Sequence, residues 1–416
     1  MSSPPQLIAR TGELSPPRRL DLRTVAGAAL AVLLLRLILG VWALPASALY
    51  PDNPLEQQVG LAPGGAPIGA WLQRVVVMPW VRYDVRWYAQ IVDHGYRPGE
   101  GTAAFHPLYP LLAALVAPLL GGNIYLVLLL VSTLACVALC VLFTRYVARF
   151  HGDQLALPAG WLLLIGPLGF ILLIPYSESL FLALAVATLW AIGDERWRLA
   201  GLLGALATLT RQQGLALALP LGWALFVALR ARRARAWDAA ALLLIPLGYG
   251  LFVTYRAIAL GDLAALAHAQ GPVDYMFKLL VSDSAQHVAD GQHIAWPWTA
   301  LVDELRLIVS TRSSYDLVID VILGWAAVFV VLLGWRTMHR HERLYSLAIV
   351  VLSLCYYNGY RAPYMAFPRH MLLAFPIFIV LARWAGRGRR LHVLLEVLLL
   401  VNLFLAGAYV RHGWIP

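Results

Sequence analysis

Apolar runs of 15 to 23 residues, rich in Leu, Ala and Val, follow one another along most of the chain, parted by short clusters of arginine. A run of that length spans hydrocarbon when it is wound as a helix. None of the runs alternates strictly between apolar and polar residues, so the backbone must close its hydrogen bonds within each segment, and a barrel is excluded. With 61% hydrophobic and 13% charged residues and a mean hydropathy of +0.71, the chain exceeds what a soluble core of 416 residues requires. The fold class is an all-α polytopic membrane protein, read as a single domain over 1–416. No internal repeat is visible.

The formal charge of +10 could suggest nucleic acid, but the arginines punctuate the apolar runs and do not line one solvated face. Positive-inside topology is the reading that fits, and nucleic acid is not expected as a partner. Arg10, Arg18, Arg19 and Arg23 precede the first run, which places a tail at 1–24 in the cytoplasm and makes 25–46 an uncleaved first crossing. Arg145 and Arg149, Arg196 and Arg198, "RARRARAW" at 230–237, "RTMHRHER" at 336–343 and "RGRR" at 387–390 mark the same side. Crossings fitted between these anchors number about eleven and leave the C-terminus outside. The segment 105–121 would break that count if it crossed. It carries Pro107, Pro110 and Pro118, and is expected to be re-entrant or surface-lying.

Two outer loops are long, 47–104 and 260–316, and both are rich in Trp, Tyr and His. Loops held by a rigid scaffold are where a membrane enzyme builds its site. Cys136 and Cys140 lie one helical turn apart and Cys355 is distant, so neither a disulfide framework nor a zinc site is indicated. His268, Asp274, His287, Asp290 and His293 match no standard ligand spacing, and no metal or other cofactor is expected.

Four polar constellations interrupt the apolar pattern. In "RYDVRWYAQIVDHGY" at 82–96, a helix would set Asp84, Trp87, Tyr88 and Ile91 on one face, a carboxylate beside an aromatic wall. Such a pair suits a sugar transferase, whose base takes a hydroxyl proton; residue types alone fit an interfacial aromatic belt equally well. "PYSESLF" at 175–181 puts Glu178 at an outer helix start, where Ser177 could cap and the helix dipole would favour the acid. "TRQQG" at 210–214 places Arg211 and Gln212 in the middle of an apolar stretch, which is costly unless they meet a partner or a wet cavity; a turn between two short helices is the alternative. "YMAFPRHMLLAFPIF" at 364–378 sets Arg369 and His370 at the outer start of a crossing, with Pro368 in the first turn. Arg369 could hold phosphate in bidentate fashion or anchor at headgroups.

The first two constellations resemble the PIG-V mannosyltransferases and their bacterial relatives. Arg82, Tyr83, Asp84, Tyr88, Ile91, Gly95 and Tyr96 follow that family's first luminal loop, as does the later "AFHPLYP" at 104–110. Tyr83 stands where the family has Trp, and His106 where it has Phe. "YSESLF" at 176–181 resembles a second signature, and "TRQQG" a third. The resemblance implies the GT-C fold and a polyprenyl-phosphate sugar donor, with mannose as the sugar. It also implies a plasma-membrane location, an extracytoplasmic site, and a lipid, polymer or protein acceptor. On that reading Asp84 and Glu178 are catalytic, and Arg369, Arg211 and His370 bind the donor phosphate. Arg82, Tyr83, Trp87, Tyr88, His106, Tyr176, Gln212 and Trp296 contact substrate. A transporter or flippase of a lipid-linked sugar is the alternative, and a degenerate scaffolding subunit would be expected to have lost the acids.

Overall fold

The computed structural model describes residues 22–48, 76–97, 102–259, 293–310 and 315–411. The His and Asp residues at 268, 274, 287 and 290, and most of the N-terminal tail, lie outside the described residues. Helices dominate the rest. In chain order they are α1 (Leu22–Ala48), α2 (Val85–His94), α3 (Leu108–Val116), α4 (Ile124–His151), α5 (Asp153–Ile165), α6 (Glu178–Gly193), α7 (Trp197–Thr208), α8 (Ala218–Arg230) and α9 (Ala240–Ala259). They continue with α10 (Thr299–Ser310), α11 (Tyr315–Gly334), α12 (Arg340–Cys355), α13 (Phe367–Leu372), α14 (Pro376–Ala385) and α15 (Arg389–Val410). Two short strands, β1 (His293–Ile294) and β2 (Tyr356–Tyr357), pair antiparallel.

Among the described residues six helices are long and apolar enough to cross a membrane: Leu22–Pro45, Ile124–His151, Gln212–Arg230, Ala236–Ile258, Tyr315–Thr337 and Arg389–Val410. The protein is a multi-pass membrane protein. Leu33, Leu37 and Val41 on α1, Leu247 and Leu251 on α9, and Leu400 and Phe404 on α15 are exposed apolar surface, as lipid-facing positions require. α4 packs on α5 and α6, α6 on α7, and α7 on α9. The α7 and α9 backbones approach closely through small residues: a Cβ on Gly248 would lie 2.7 Å from the Ala205 carbonyl oxygen.

The segment 105–121 forms α3 and a 3-10 turn, Ala117–Leu120, an apolar helix too short to count among the long spans. Pro107 stands at its N-cap, Pro110 in its first turn and Pro118 in the 3-10 turn, so proline sets both its limits.

The apolar run from 150 to 174 is not one continuous helix. α5 ends at Ile165, a 3-10 turn covers Gly169–Leu172, and the chain stays irregular until Glu178. Pro167 and Pro175 deny the backbone two donors there. The segment is nonetheless buried from Leu168 to Ser177, so its carbonyls must be satisfied from elsewhere. Asn402 Nδ2 of α15 donates to the Gly166 carbonyl (2.6 Å), Ser179 Oγ to Leu172 (2.5 Å) and Ser132 Oγ of α4 to Tyr176 (2.9 Å). Arg36 of α1 donates to the Leu173 carbonyl. An arginine midway along the first crossing therefore has a structural partner, the open carbonyl of a broken helix.

Charge gathers at two opposite ends of the bundle. At the end where α4 and α6 finish and α12 begins, Arg149 pairs with Asp194 at 2.6 Å, and Glu342 accepts from His151 at 2.7 Å and from the Tyr146 hydroxyl at 2.6 Å. The other end holds the site.

Candidate active site

Four segments converge where α6 and α13 begin. Asp84 occupies the N-cap position of α2 but makes no capping hydrogen bond. Its Oδ2 instead accepts from Arg369 NH1 at 2.6 Å. The same guanidinium donates through Nε to Glu178 Oε1. Glu178 Oε1 accepts a second bond from Arg211 NH1 at 2.7 Å, and that nitrogen also reaches Ser177 Oγ at 3.2 Å. Tyr88 OH lies 2.9 Å from Ser177 Oγ. Beneath the Arg369 guanidinium, at 4.3 Å, lies the ring of Tyr176.

Two carboxylates and two guanidiniums make this network formally neutral, which is how charge is tolerated where water is scarce. Burial separates the two acids. The Glu178 side chain has no exposed surface and sits on the first residue of α6, where the helix dipole adds to the pull of both arginines. Asp84 is 27% exposed, against 7% for Arg369 and 12% for Arg211. Glu178 Oε2 and Arg211 Nε are buried without a hydrogen-bond partner among the described residues. Such orphan groups usually mark a place for a water or a ligand.

Backbone strain flanks the network on both sides. Tyr83, next to Asp84, has φ +50°, and Ala366, at the start of α13, has φ +66°. The left-handed region costs a side-chain-bearing residue about 1–2 kcal/mol, and residues held there cluster at sites whose geometry is over-determined. Pro368 lies in the first turn of α13, where its missing N–H is no loss. Arg211 precedes the 3-10 stretch Gln212–Leu217, the turn between short helices that the sequence allowed, and its side chain reaches back to Glu178.

The structure thus brings Asp84, Glu178, Arg211, Arg369 and Tyr176 together. His370, half-buried, turns its ring edge to Tyr356 at 5.7 Å. Other sequence candidates take supporting positions. Tyr88 presents no open wall: it is buried against the ring edges of Phe105 and Tyr109, and only its hydroxyl reaches the network. Trp87 is half-buried and stacks on Phe105 with centroids 6.3 Å apart. Arg82 donates to the carbonyls of Met78, Val81 and Val410, and Tyr83 packs edge-on against Tyr409. Buried His106 donates from Nδ1 to the Thr208 carbonyl at 2.5 Å and ties the loop to α7. Gln212 is half-buried at the start of the 3-10 stretch. Trp296 is exposed and stacks on Trp298.

Sequence reasoning weighed Ser177 only as a cap; it makes no capping bond and bridges Tyr88 to Arg211. It missed Tyr409, whose hydroxyl donates to the carbonyls of Trp80 and Arg82 and whose ring meets Tyr83 and Tyr176. Polar residues inside apolar runs, such as Ser132 and Asn402, were the available signal for this support.

Fold and site define a multi-pass helical membrane protein with a buried acid–arginine network at one end of its bundle. No family model matches the chain, and no curated protein matches it in sequence. Among solved structures it is similar to ArnT from Cupriavidus metallidurans, in a crystal structure bound to undecaprenyl phosphate. The match has a TM-score of 0.45 and 14% identity, and covers 74% of this chain and 56% of that one. The chain therefore spans little more than half the length of that neighbour.

Proposed function

We propose that this chain is an inverting glycosyltransferase of the GT-C type, using a polyprenyl-phosphate sugar at the extracytoplasmic face of the plasma membrane. The observation that carries the reading is the convergence of Asp84, Glu178, Arg211 and Arg369, each from a different motif, with Asp84 the acid left open to a substrate. Mannose is the sugar that the PIG-V resemblance implies, and a lipid, polymer or protein hydroxyl is the acceptor.

The chemistry asks for two things from the protein. The acceptor oxygen attacks the anomeric carbon from the face opposite the leaving phosphate, and its proton passes to Asp84. The bond to the phosphate oxygen breaks as the new glycosidic bond forms, which inverts configuration and leaves negative charge on the lipid phosphate. Arg369, with Arg211 beside it, offers guanidinium N–H groups to that charge. Buried Glu178 acts on both arginines as a positioning residue, holding each in place as the phosphate arrives. A network gathered at one end of the bundle lends no support to a transporter, whose substrate groups lie midway.

Asp84→Asn is the test. In membranes supplied with labelled polyprenyl-phosphate mannose, transfer to endogenous acceptors is abolished while the purified protein keeps its elution profile and melting temperature. Full retained transfer overturns the assignment.

A further inference from the structure

At the end of the bundle away from the acid–arginine network, α8 and α12 pack side by side and form a second feature. Trp223, Phe226 and Arg230 follow one another on α8 at the spacing of a single helix face. The Trp223 and Phe226 rings lie 6.0 Å apart, and both residues are exposed. Arg230 places its guanidinium 4.7 Å above Phe226. From the neighbouring helix, Arg340 places its own 5.3 Å above Trp223. Among the described residues neither arginine makes an ion pair or hydrogen bond with a carboxylate: Glu342, two residues from Arg340, is taken by His151 and Tyr146, and Glu195 is taken by Arg233, three residues from Arg230.

A guanidinium laid over an aromatic ring is held in orientation while its edge N–H groups stay available in plane. Two such groups, from two helices, stand over adjacent rings at the polar end of an apolar surface. That surface continues along both helices through exposed Leu219 on α8 and Leu347 and Val351 on α12. The pattern is phosphate chemistry above acyl-chain chemistry. We propose that the cleft between α8 and α12 is a binding site for an anionic phospholipid, its headgroup phosphate shared by Arg230 and Arg340 and its chains lying along the apolar faces below. Basic clefts between membrane helices bind anionic lipids by this logic. The site is separate from the proposed transfer chemistry and stands whether or not that reading holds.

The test uses the full-length protein in detergent, offered equimolar dioleoylphosphatidylglycerol and dioleoylphosphatidylcholine, with bound lipid counted by native mass spectrometry. The wild type retains phosphatidylglycerol in preference. Each basic group at an anionic surface is worth about fivefold in binding, so Arg230→Gln/Arg340→Gln loses that preference by about twenty-fivefold. Arg387→Gln/Arg389→Gln, which removes two exposed arginines outside this cleft, keeps it. Trp223→Ala/Phe226→Ala retains both charges but loses the rings that orient them, and its preference falls several-fold. The proposal is overturned if the first double variant keeps the preference, if the Arg387/Arg389 variant loses it equally, or if the ring variant keeps it in full.

Discussion

Replacing Glu178 with Gln is the sharpest probe of how the network holds together. The substitution keeps the volume and removes one charge, leaving Arg369 with Asp84 alone and Arg211 with Ser177. Glu178 is fully buried and both guanidiniums are nearly so. Breaking a buried pair from one side costs about 3–5 kcal/mol, because a charge is left behind without its counter-charge. Melting of the detergent-purified protein, followed at a fixed scan rate by intrinsic fluorescence, should therefore fall by several degrees. The partner experiment removes the stranded charge as well. Glu178→Gln/Arg211→Gln restores neutrality and should recover at least about 1 kcal/mol relative to the sum of the single variants, as coupled neighbours do. If Glu178→Gln melts with the wild type, or the double variant is additive within about 0.5 kcal/mol, then Glu178 does not hold the arginines and its positioning role is wrong.

Arg36→Leu strips the Leu173 carbonyl of its donor and should cost about 1–3 kcal/mol, read as a lowered melting temperature, with Arg36→Gln recovering part of the loss. Ala366→Gly relieves a φ of +66° and should stabilise by about 1 kcal/mol, read as a raised melting temperature. Glu304, on α10 outside the six long spans, accepts from the Tyr364 N–H at 3.1 Å, and its burial pushes the carboxyl up to about 7. A folded value above the unfolded one means that the bound proton stabilises at low pH, and that this contribution is lost as pH rises through about 7. Wild-type melting should then decline between pH 5 and pH 8 by the equivalent of about 2–3 kcal/mol, and Glu304→Gln should flatten that slope.

The helical architecture was legible because apolar length and arginine spacing answer directly to bilayer thickness and topology. The prolines of 105–121 set that segment apart from the crossings as a re-entrant or surface-lying piece, and the structure has a short helix and a 3-10 turn there, below the length of the long spans. The meeting of Asp84, Glu178, Arg211 and Arg369 was legible only as four acids and bases placed on one side. Which acid each arginine holds depends on contacts across 33 to 285 residues of sequence, and no local pattern encodes such a pairing. Tyr88 shows the same limit. An aromatic at helical spacing from an acid reads as a wall for a sugar, yet whether its face is open depends on Phe105 and Tyr109, which belong to a separate part of the chain. The break after Ile165 was hidden by composition, since residues 168–174 are as apolar as a helix interior. Its cause lies in Pro167 and Pro175, and its remedy in Arg36, Ser132 and Asn402, each of which looked anomalous only on its own helix.

That remedy has a consequence for biogenesis. The Gly166 carbonyl is satisfied by a side chain made 236 residues later, and the Arg82 side chain is anchored on the Val410 carbonyl, 328 residues further along the chain. A ribosome delivers α2 and α5 to the membrane long before α15, so the Gly166 carbonyl and the Arg82 side chain must wait for partners on a helix not yet translated. A nascent chain of this protein holds the acids and arginines of the site without the frame that fixes them. These two contacts form only when α15 docks, which makes insertion of that helix the step that closes the frame around the site.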